Sequence, residues 1–224
     1  MGAVRYQDRR EAGAALAARL AERSFENALV LGLPRGGVPV AFEVATALAA
    51  PLDVIVVRKL GAPFQPELAI GAIASGGVQI LNDCTLNEIH PVSPADLERI
   101  TRRETAELGR REFLYRGHAP YPDVAARDVI LVDDGMATGA TMSVAIQALR
   151  KKCARRIVVA VPVASPYALN RVRSLADEVV CLDAPTPFFA VGDSYRDFEP
   201  TTDEHVRELL GAAAKDVPAR ANGC

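Results

Sequence analysis

The sequence predicts an α/β fold, a mostly parallel five-stranded sheet with helices on both faces. Five aliphatic runs, residues 28–33, 52–58, 128–132, 156–163 and 178–182, lack the polar alternation of a strand with one wet face, so each reads as a strand covered on both sides. Helix-forming stretches separate them, the pattern that builds a parallel sheet. Several of the runs end in turns of Gly, Pro, Thr and charged residues, where an open α/β sheet places its ligands.

The elements follow in order. Residues 7–21 read as an amphipathic helix, and "ALVLGL" (28–33) as the first strand. The turn "PRGG" leads into an apolar helix over 38–49, and "LDVIVVR" (52–58) is the second strand. "LAIGAIA" and "VQIL", separated by Ser75, Gly76 and Gly77, form a hairpin. Ser93 caps the next helix, with Pro94 at its first position and Asp96 where a capping-box acid belongs, and that helix runs to about Arg116. Residues 128–132 are the third strand and a helix covers 140–152. Residues 156–163 are the fourth strand, a helix lies near 166–175, and 178–182 are the fifth. Thr201 and Glu204 are spaced as a capping box for a last helix over 202–214. The polar residues 215–224 read as a flexible tail.

The 224 residues suffice for one α/β domain, placed here at 1–214. A net charge of −2 gives no global field toward nucleic acid or an anionic membrane, so neither is an expected partner and any anion must be held locally. No apolar run approaches the roughly 20 residues that span a bilayer. The first residues lack the apolar core of a secretory signal, and Tyr6 stands where a myristoylation site wants Ser or Thr. Cys84, Cys153, Cys181 and Cys224 show no CxxC spacing, which points to reduced thiols and a cytoplasmic protein. The helix over 94–116 carries six arginines against five acids, a mixed face suited to solvent or to packing in a homo-oligomer. His90, His118 and His205 share no motif, and no Ser–His–Asp, HExxH or GxSxG pattern appears.

Four turns could carry chemistry. In "VILVDDGMATGAT", an aliphatic strand ends in Asp133 and Asp134, and a turn of small and hydroxyl residues leads straight into a helix. Unpaired N–H groups and the positive end of the helix dipole then face the turn, which suits a monophosphate. The two acids beside it can accept from a vicinal diol. A lone pair of aspartates is more often a helix cap and a solvated charge; the whole string is much harder to read that way. No GxxxxGK[ST] or GxGxxG is present, so an NTPase P-loop and a dinucleotide fingerprint are both absent. "GLPRGGVP" (32–39) offers Arg35, Gly36 and Gly37 to a polyanion, or is only a tight turn with a surface arginine. Arg58 and Lys59 end the second run, followed by a Gly/Pro-rich stretch suited to a mobile loop; solvated charges are the bland alternative. "TPFFAVGDSYRDFEP" (186–200) concentrates Phe188, Phe189, Tyr195 and Phe198, which either plug the core edge or face a ligand.

"VILVDDGMATGAT" resembles the 5-phosphoribosyl pyrophosphate (PRPP) motif of the type I phosphoribosyltransferases. The resemblance implies that Asp133 and Asp134 hold the ribose hydroxyls, while Ala137, Thr138, Gly139, Ala140 and Thr141 hold the 5′-phosphate. It assigns Arg35, Gly36, Gly37 and Lys59 to pyrophosphate, in a loop that in this family often contains a cis peptide, and makes Arg35, Arg58 and Lys59 the catalytic cations. It implies a core over about 28–183, a helical insertion over about 82–120, and a small hood over about 184–200 where Phe189 would meet the acceptor. Mg²⁺ bound through the substrate, with no direct protein ligand, is the implied cofactor. PRPP and a small nitrogenous acceptor are the implied substrates. Family members acting on 6-oxopurines carry an acid three positions after the second aspartate; here that position is Ala137. The alternative is a PRPP- or nucleotide-sensing regulator without transferase activity, although the chain has no segment left for a helix-turn-helix. An unrelated phosphosugar enzyme is a third reading.

Overall fold

The structure, a computed structural model, describes residues 6–82 and 92–216. The main sheet has five strands in the order β2 (Leu52–Val54), β1 (Leu29–Gly32), β6 (Asp128–Val132), β7 (Arg156–Val163) and β8 (Glu178–Asp183), with every pairing parallel. Strand alternation assigns the two faces. Val129 and Leu131 of β6 pack with Met142, Ile146 and Leu149 of α4 (Ala140–Lys151) and with Leu169 and Val172 of α5 (Pro166–Arg173). Ile130 and Val132 point the other way, onto Val40 and Val44 of α2 (Gly37–Ala47) and Leu16 and Leu20 of α1 (Arg9–Ala21). Each such fully buried Leu or Ile is worth roughly 1.5–3 kcal/mol, which explains why β1 and β6 contain no outward polar position.

The run 52–58, expected as one strand, is two. β2 ends at Val54, and β3 (Val57–Gly61) opens a separate antiparallel sheet with β4 (Ala69–Ala74) and β5 (Val78–Leu81). The change of direction is fixed by Arg116, whose guanidinium donates to Asp53 Oδ1 at 2.7 Å and to the Val54 carbonyl at 2.6 Å. The stretch after Lys59 that the sequence marks as a loop continues β3 for two residues, Leu60 and Gly61, and then turns over 62–68, closed by Ala62 N–H donating to the Leu68 carbonyl at 2.9 Å. The segment 57–81 thus forms an antiparallel unit ahead of the helix over 94–116. Its sheet lies between α3 (Pro94–Arg116), which covers Leu60, Ile70 and Ile73, and α4, which covers Ala74 and Val78.

Arg58 illustrates what this packing demands. It donates to Glu104 of α3 from Nε at 3.0 Å and from Nη2 at 2.7 Å, and the Glu104 side chain is only 8% exposed. Removing the acid leaves a largely covered guanidinium without its partner. Glu104→Ala is expected to cost about 1–3 kcal/mol, less than a fully buried pair because Arg58 keeps some water. For a chain of this size that lowers the melting temperature by roughly 2–10 °C. An unchanged thermal melt would count against the pair as a structural tie.

The helix ends follow their caps. Asp8 accepts from Glu11 N–H at 2.8 Å and starts α1 at Arg9, two residues later than expected. Ser93 accepts from Asp96 N–H at 3.1 Å, as the sequence predicts. The last helix, α6 (Asp203–Asp216), is capped by Thr202, which accepts from His205 N–H at 3.1 Å, and not by Thr201, which is buried. The sequence's tail begins inside α6; its residues 217–224 lie outside the described residues, as do Cys84, His90 and Cys224. No described helix is long and apolar enough to cross a membrane.

Candidate active site

Sheet order places the site. The chain leaves β1 toward β2 on one side and returns to β6 on the other, so the crevice between the ends of β1 and β6 is a topological switch point. Gly32 and Val132 are register partners, and Leu33 N–H donates to the Val132 carbonyl at 2.9 Å. The turn after β1 (34–37) and the turn after β6 (133–139) therefore emerge side by side.

Their contact is closer than side chains allow. A Cβ on Gly36 would lie 2.1 Å from Asp134 Oδ2. One on Gly37 would lie 2.8 Å from both Asp133 Cα and the Val132 carbonyl oxygen. Helix α2 starts at Gly37 with Gly36 as its N-cap, so its N-terminus points along the Asp133–Asp134 pair. The Pro34–Arg35 peptide is cis. Arg35 is exposed, and its guanidinium makes no hydrogen bond or ion pair within the described residues.

The other turn is pinned at its middle and open at its end. Met136 N–H donates to the Val163 carbonyl at 3.0 Å, Ser165 N–H donates to the Met136 carbonyl at 2.8 Å, and Ser165 Oγ donates to the Ala137 carbonyl at 2.6 Å. This holds the turn against the end of β7 while Ala137, Thr138, Ala140 and Thr141 stay exposed. Gly139, buried at φ +68°, supplies the left-handed residue that turns the chain into α4. Two helix N-termini, α2 and α4, thus flank one carboxylate pair, an electrostatic frame for a ligand with two anionic ends.

The carboxylates themselves are crowded. Burial, and then the charge of Asp134, hold the Asp133 carboxyl well above the usual range. Burial raises Asp134 too, opposed by the guanidinium of Arg9, whose Nε donates to Asp134 Oδ2 at 2.8 Å. Asp133 Oδ1 accepts from Asp134 N–H at 2.9 Å, and Tyr195 Oη donates to the Asp134 carbonyl at 2.6 Å. The two carboxyls also hydrogen-bond each other side chain to side chain, which raises Asp133 further and lowers Asp134.

Arg9 and Tyr195 were not among the predicted site residues. Arg9 lies 125 residues from Asp134 in a helix whose exposed arginines look alike in sequence; only the doubled "RR" at its start marks the place. Tyr195 was singled out as aromatic, without a role.

Strand alternation separates Arg58 from Lys59. Lys59 shares a cavity of about 690 Å³ with Val57, Ala140, Thr141 and Arg171, next to the turn before α4, and also reaches Glu67 at 3.0 Å. Arg58 faces α3 and Glu104. The structure brings Lys59, and not Arg58, beside the start of α4. In the hood, Phe188, Tyr195 and Phe198 pack together with Tyr6 and Val163, whereas Phe189 is 75% exposed. The aromatic segment thus divides into three residues that close the core edge and one that does not. Among the described residues no three His, Cys, Asp or Glu side chains gather as a metal cage. Cys153 and Cys181 are free thiols, and His118 packs edge-on against Phe113.

A parallel sheet covered on both faces, with two helix N-termini and a carboxylate pair at its switch point, defines an open α/β fold with its candidate site at the strand ends. Comparison with known proteins makes the assignment specific. The profile of the phosphoribosyl transferase domain matches residues 6–197. "Putative phosphoribosyl transferase Rv0571c" of Mycobacterium tuberculosis is 48% identical over 211 residues, 94% of this chain. The crystal structure of TT1426 from Thermus thermophilus is 48% identical, covers 92% of this chain and 97% of its own, and superposes with a TM-score of 0.82. The chain belongs to the phosphoribosyl transferase domain family. It spans about half the length, 47%, of the M. tuberculosis relative.

Proposed function

We propose that the chain transfers a 5-phosphoribosyl group from PRPP to a small nitrogenous acceptor and releases pyrophosphate. The observation that carries this reading is the placement of Asp133 and Asp134 between the N-termini of α2 and α4. PRPP has that pattern of charge, with a 5′-phosphate at one end, pyrophosphate at the other and a diol between.

The turn 137–141 receives the 5′-phosphate through exposed N–H groups and the Thr138 and Thr141 hydroxyls. Asp133 and Asp134 accept from the ribose hydroxyls, which replace the hydrogen bond the two carboxyls make with each other. Gly36 and Gly37 admit pyrophosphate close to the backbone and Arg35 neutralises it, while Lys59 from β3 stands with Ala140 and Thr141 on the 5′-phosphate side. In the reaction the C1–O bond to pyrophosphate breaks and its electron pair leaves with the oxygen. The acceptor nitrogen's lone pair forms the new C1–N bond, and its proton passes to water. Such chemistry needs positioning and charge stabilisation rather than a protein nucleophile.

Mg²⁺ fits beside the adjacent carboxylates Asp133 and Asp134, because this hard cation takes oxygen ligands and draws much of its shell from waters and substrate. When bound it would offset negative charge on the leaving group. Ala137 offers no general base, which counts against a 6-oxopurine acceptor, and exposed Phe189 is the proposed platform for the acceptor ring.

The test is pyrophosphate release from PRPP and Mg²⁺ across a panel of nucleobases and amines. Release with at least one acceptor is expected, and Lys59→Ala should slow it about tenfold or more. PRPP binding without release from any acceptor would favour the sensing regulator, and no PRPP binding would end both readings.

A further inference from the structure

Arg9 connects three parts of the molecule that the reaction, as proposed, keeps separate. Its side chain is 12% exposed. Nε donates to Asp134 Oδ2 at 2.8 Å, Nη1 donates to the Glu199 carbonyl at 2.8 Å, and the guanidinium carbon lies 3.9 Å from the centre of the Phe198 ring. Phe198 stacks on Tyr195 at 5.0 Å, and Tyr195 donates to the Asp134 carbonyl. The segment leading into α1 is zipped to the hood beside it. Tyr6 N–H donates to the Ser194 carbonyl at 3.0 Å, while Arg196 N–H and Asp197 N–H donate to the Tyr6 and Gln7 carbonyls at 2.9 Å.

A planar guanidinium gripped on its face and on two nitrogens has little rotational freedom, so the oxygen it engages is fixed too. Asp134 is held from both ends, by Tyr195 at its carbonyl and by Arg9 at one carboxylate oxygen. The carboxylate is thereby fixed in orientation beside Asp133, with which it hydrogen-bonds side chain to side chain. We propose that Arg9 is a positioning residue for sugar recognition. It orients the Asp134 carboxylate toward the vicinal diol of a pentose 5-phosphate, and it ties that orientation to the hood through Phe198 and Glu199. The inference rests on the proposed PRPP reading of Asp133 and Asp134. Arg9 itself touches no reacting atom.

A purely structural arginine and a positioning arginine predict different ligand profiles. The measurement is titration calorimetry of wild type, Arg9→Met and Arg9→Lys with four ligands: PRPP with Mg²⁺, ribose 5-phosphate, 2-deoxyribose 5-phosphate and pyrophosphate with Mg²⁺. Wild type should prefer ribose 5-phosphate over its 2-deoxy analogue. Arg9→Met should weaken ribose 5-phosphate and PRPP about ten- to a hundredfold, the size of one lost charge-assisted hydrogen bond. It should erase the preference for the 2-hydroxyl while pyrophosphate affinity stays within about twofold. Arg9→Lys, which keeps the charge without the planar fork, should recover part of the preference.

Equal weakening of pyrophosphate and ribose 5-phosphate in Arg9→Met would overturn the proposal, as would an undiminished preference for the 2-hydroxyl. Should Arg9→Met fail to fold, Arg9→Lys decides on the same criterion, since a full wild-type preference without the planar guanidinium contradicts positioning. Wild type that binds neither PRPP nor ribose 5-phosphate takes down the PRPP reading and this inference together. Wild type that binds both, beside an indifferent Arg9→Met, overturns the role of Arg9 alone.

Discussion

Asp133→Asn is expected to raise the melting temperature of the ligand-free protein while weakening PRPP about ten- to a hundredfold. The cause is the crowding that pushes the Asp133 carboxyl well above its usual range. The folded state then holds a proton that the unfolded chain has already released. Stability attributable to this group is complete below the unfolded value, near 4, and is lost as pH rises from there through the raised folded value. Above that unfolded value the carboxyl is a net cost of the fold, and Asn removes it. The amide oxygen still accepts the Asp134 N–H that Oδ1 accepts now at 2.9 Å. The gain should be about 0.5–2 kcal/mol, roughly 1–8 °C, growing as pH rises above the unfolded value and vanishing as pH falls toward about 4. The neighbouring acid should behave oppositely. Asp134→Asn leaves the Arg9 guanidinium, 12% exposed, without a charged partner, and should destabilise by about 1–3 kcal/mol while also weakening PRPP. Melting curves across pH, with calorimetry for PRPP·Mg²⁺, check both variants. Shifts of the same sign at neutral pH would contradict this division of labour.

That contrast could not have been drawn from the sequence, where Asp133 and Asp134 differ by one position. The string around them was legible because its parts are contiguous. An apolar strand, two acids, a glycine turn and a helix start lie within thirteen residues, and the turn chemistry of Gly139 follows from local backbone rules. The five sheet strands were legible for a similar reason, since burial on both faces leaves an unbroken aliphatic run. Tertiary decisions were not. The run 52–58 is equally apolar on both sides of the point where β2 ends, and the bend belongs to Arg116, more than sixty residues on. Arg9 reaches Asp134 only because the hood segment lies alongside the entry to α1, a pairing no spacing announces. Arg58 and Lys59 are a different case. Their period-two separation follows from any strand drawn through both, so the sequence held the signal that one of them faces away.

Gly37→Ala is expected to be among the most damaging single-methyl additions in the chain, although alanine is the better helix former. In a helix interior the exchange favours alanine by about 0.5–1 kcal/mol. Here the added Cβ would sit 2.8 Å from Asp133 Cα and from the Val132 carbonyl oxygen, and 2.9 Å from Asp133 Oδ1. Two of those atoms are backbone at the end of a central strand, so no rotamer change relieves the clash. The start of α2 must move outward, which strains the Leu33 N–H to Val132 carbonyl bond at 2.9 Å and the Gly37 N–H to Leu33 carbonyl bond at 3.0 Å. Overpacking of this kind costs about 1–3 kcal/mol. The displaced turn also carries Arg35 and Gly36 away from Asp133 and Asp134, and a misplacement near 1 Å can cost on the order of a hundredfold in turnover. Gly109 gives the control. It lies inside α3, and a Cβ there would meet nothing within 4 Å, so Gly109→Ala should gain the helix-propensity term and leave PRPP binding alone. Thermal melts and PRPP affinities of the two variants, measured side by side, should therefore move apart. If Gly37→Ala melts as high as Gly109→Ala with PRPP affinity intact, the close approach of the two turns is not what requires glycine at position 37.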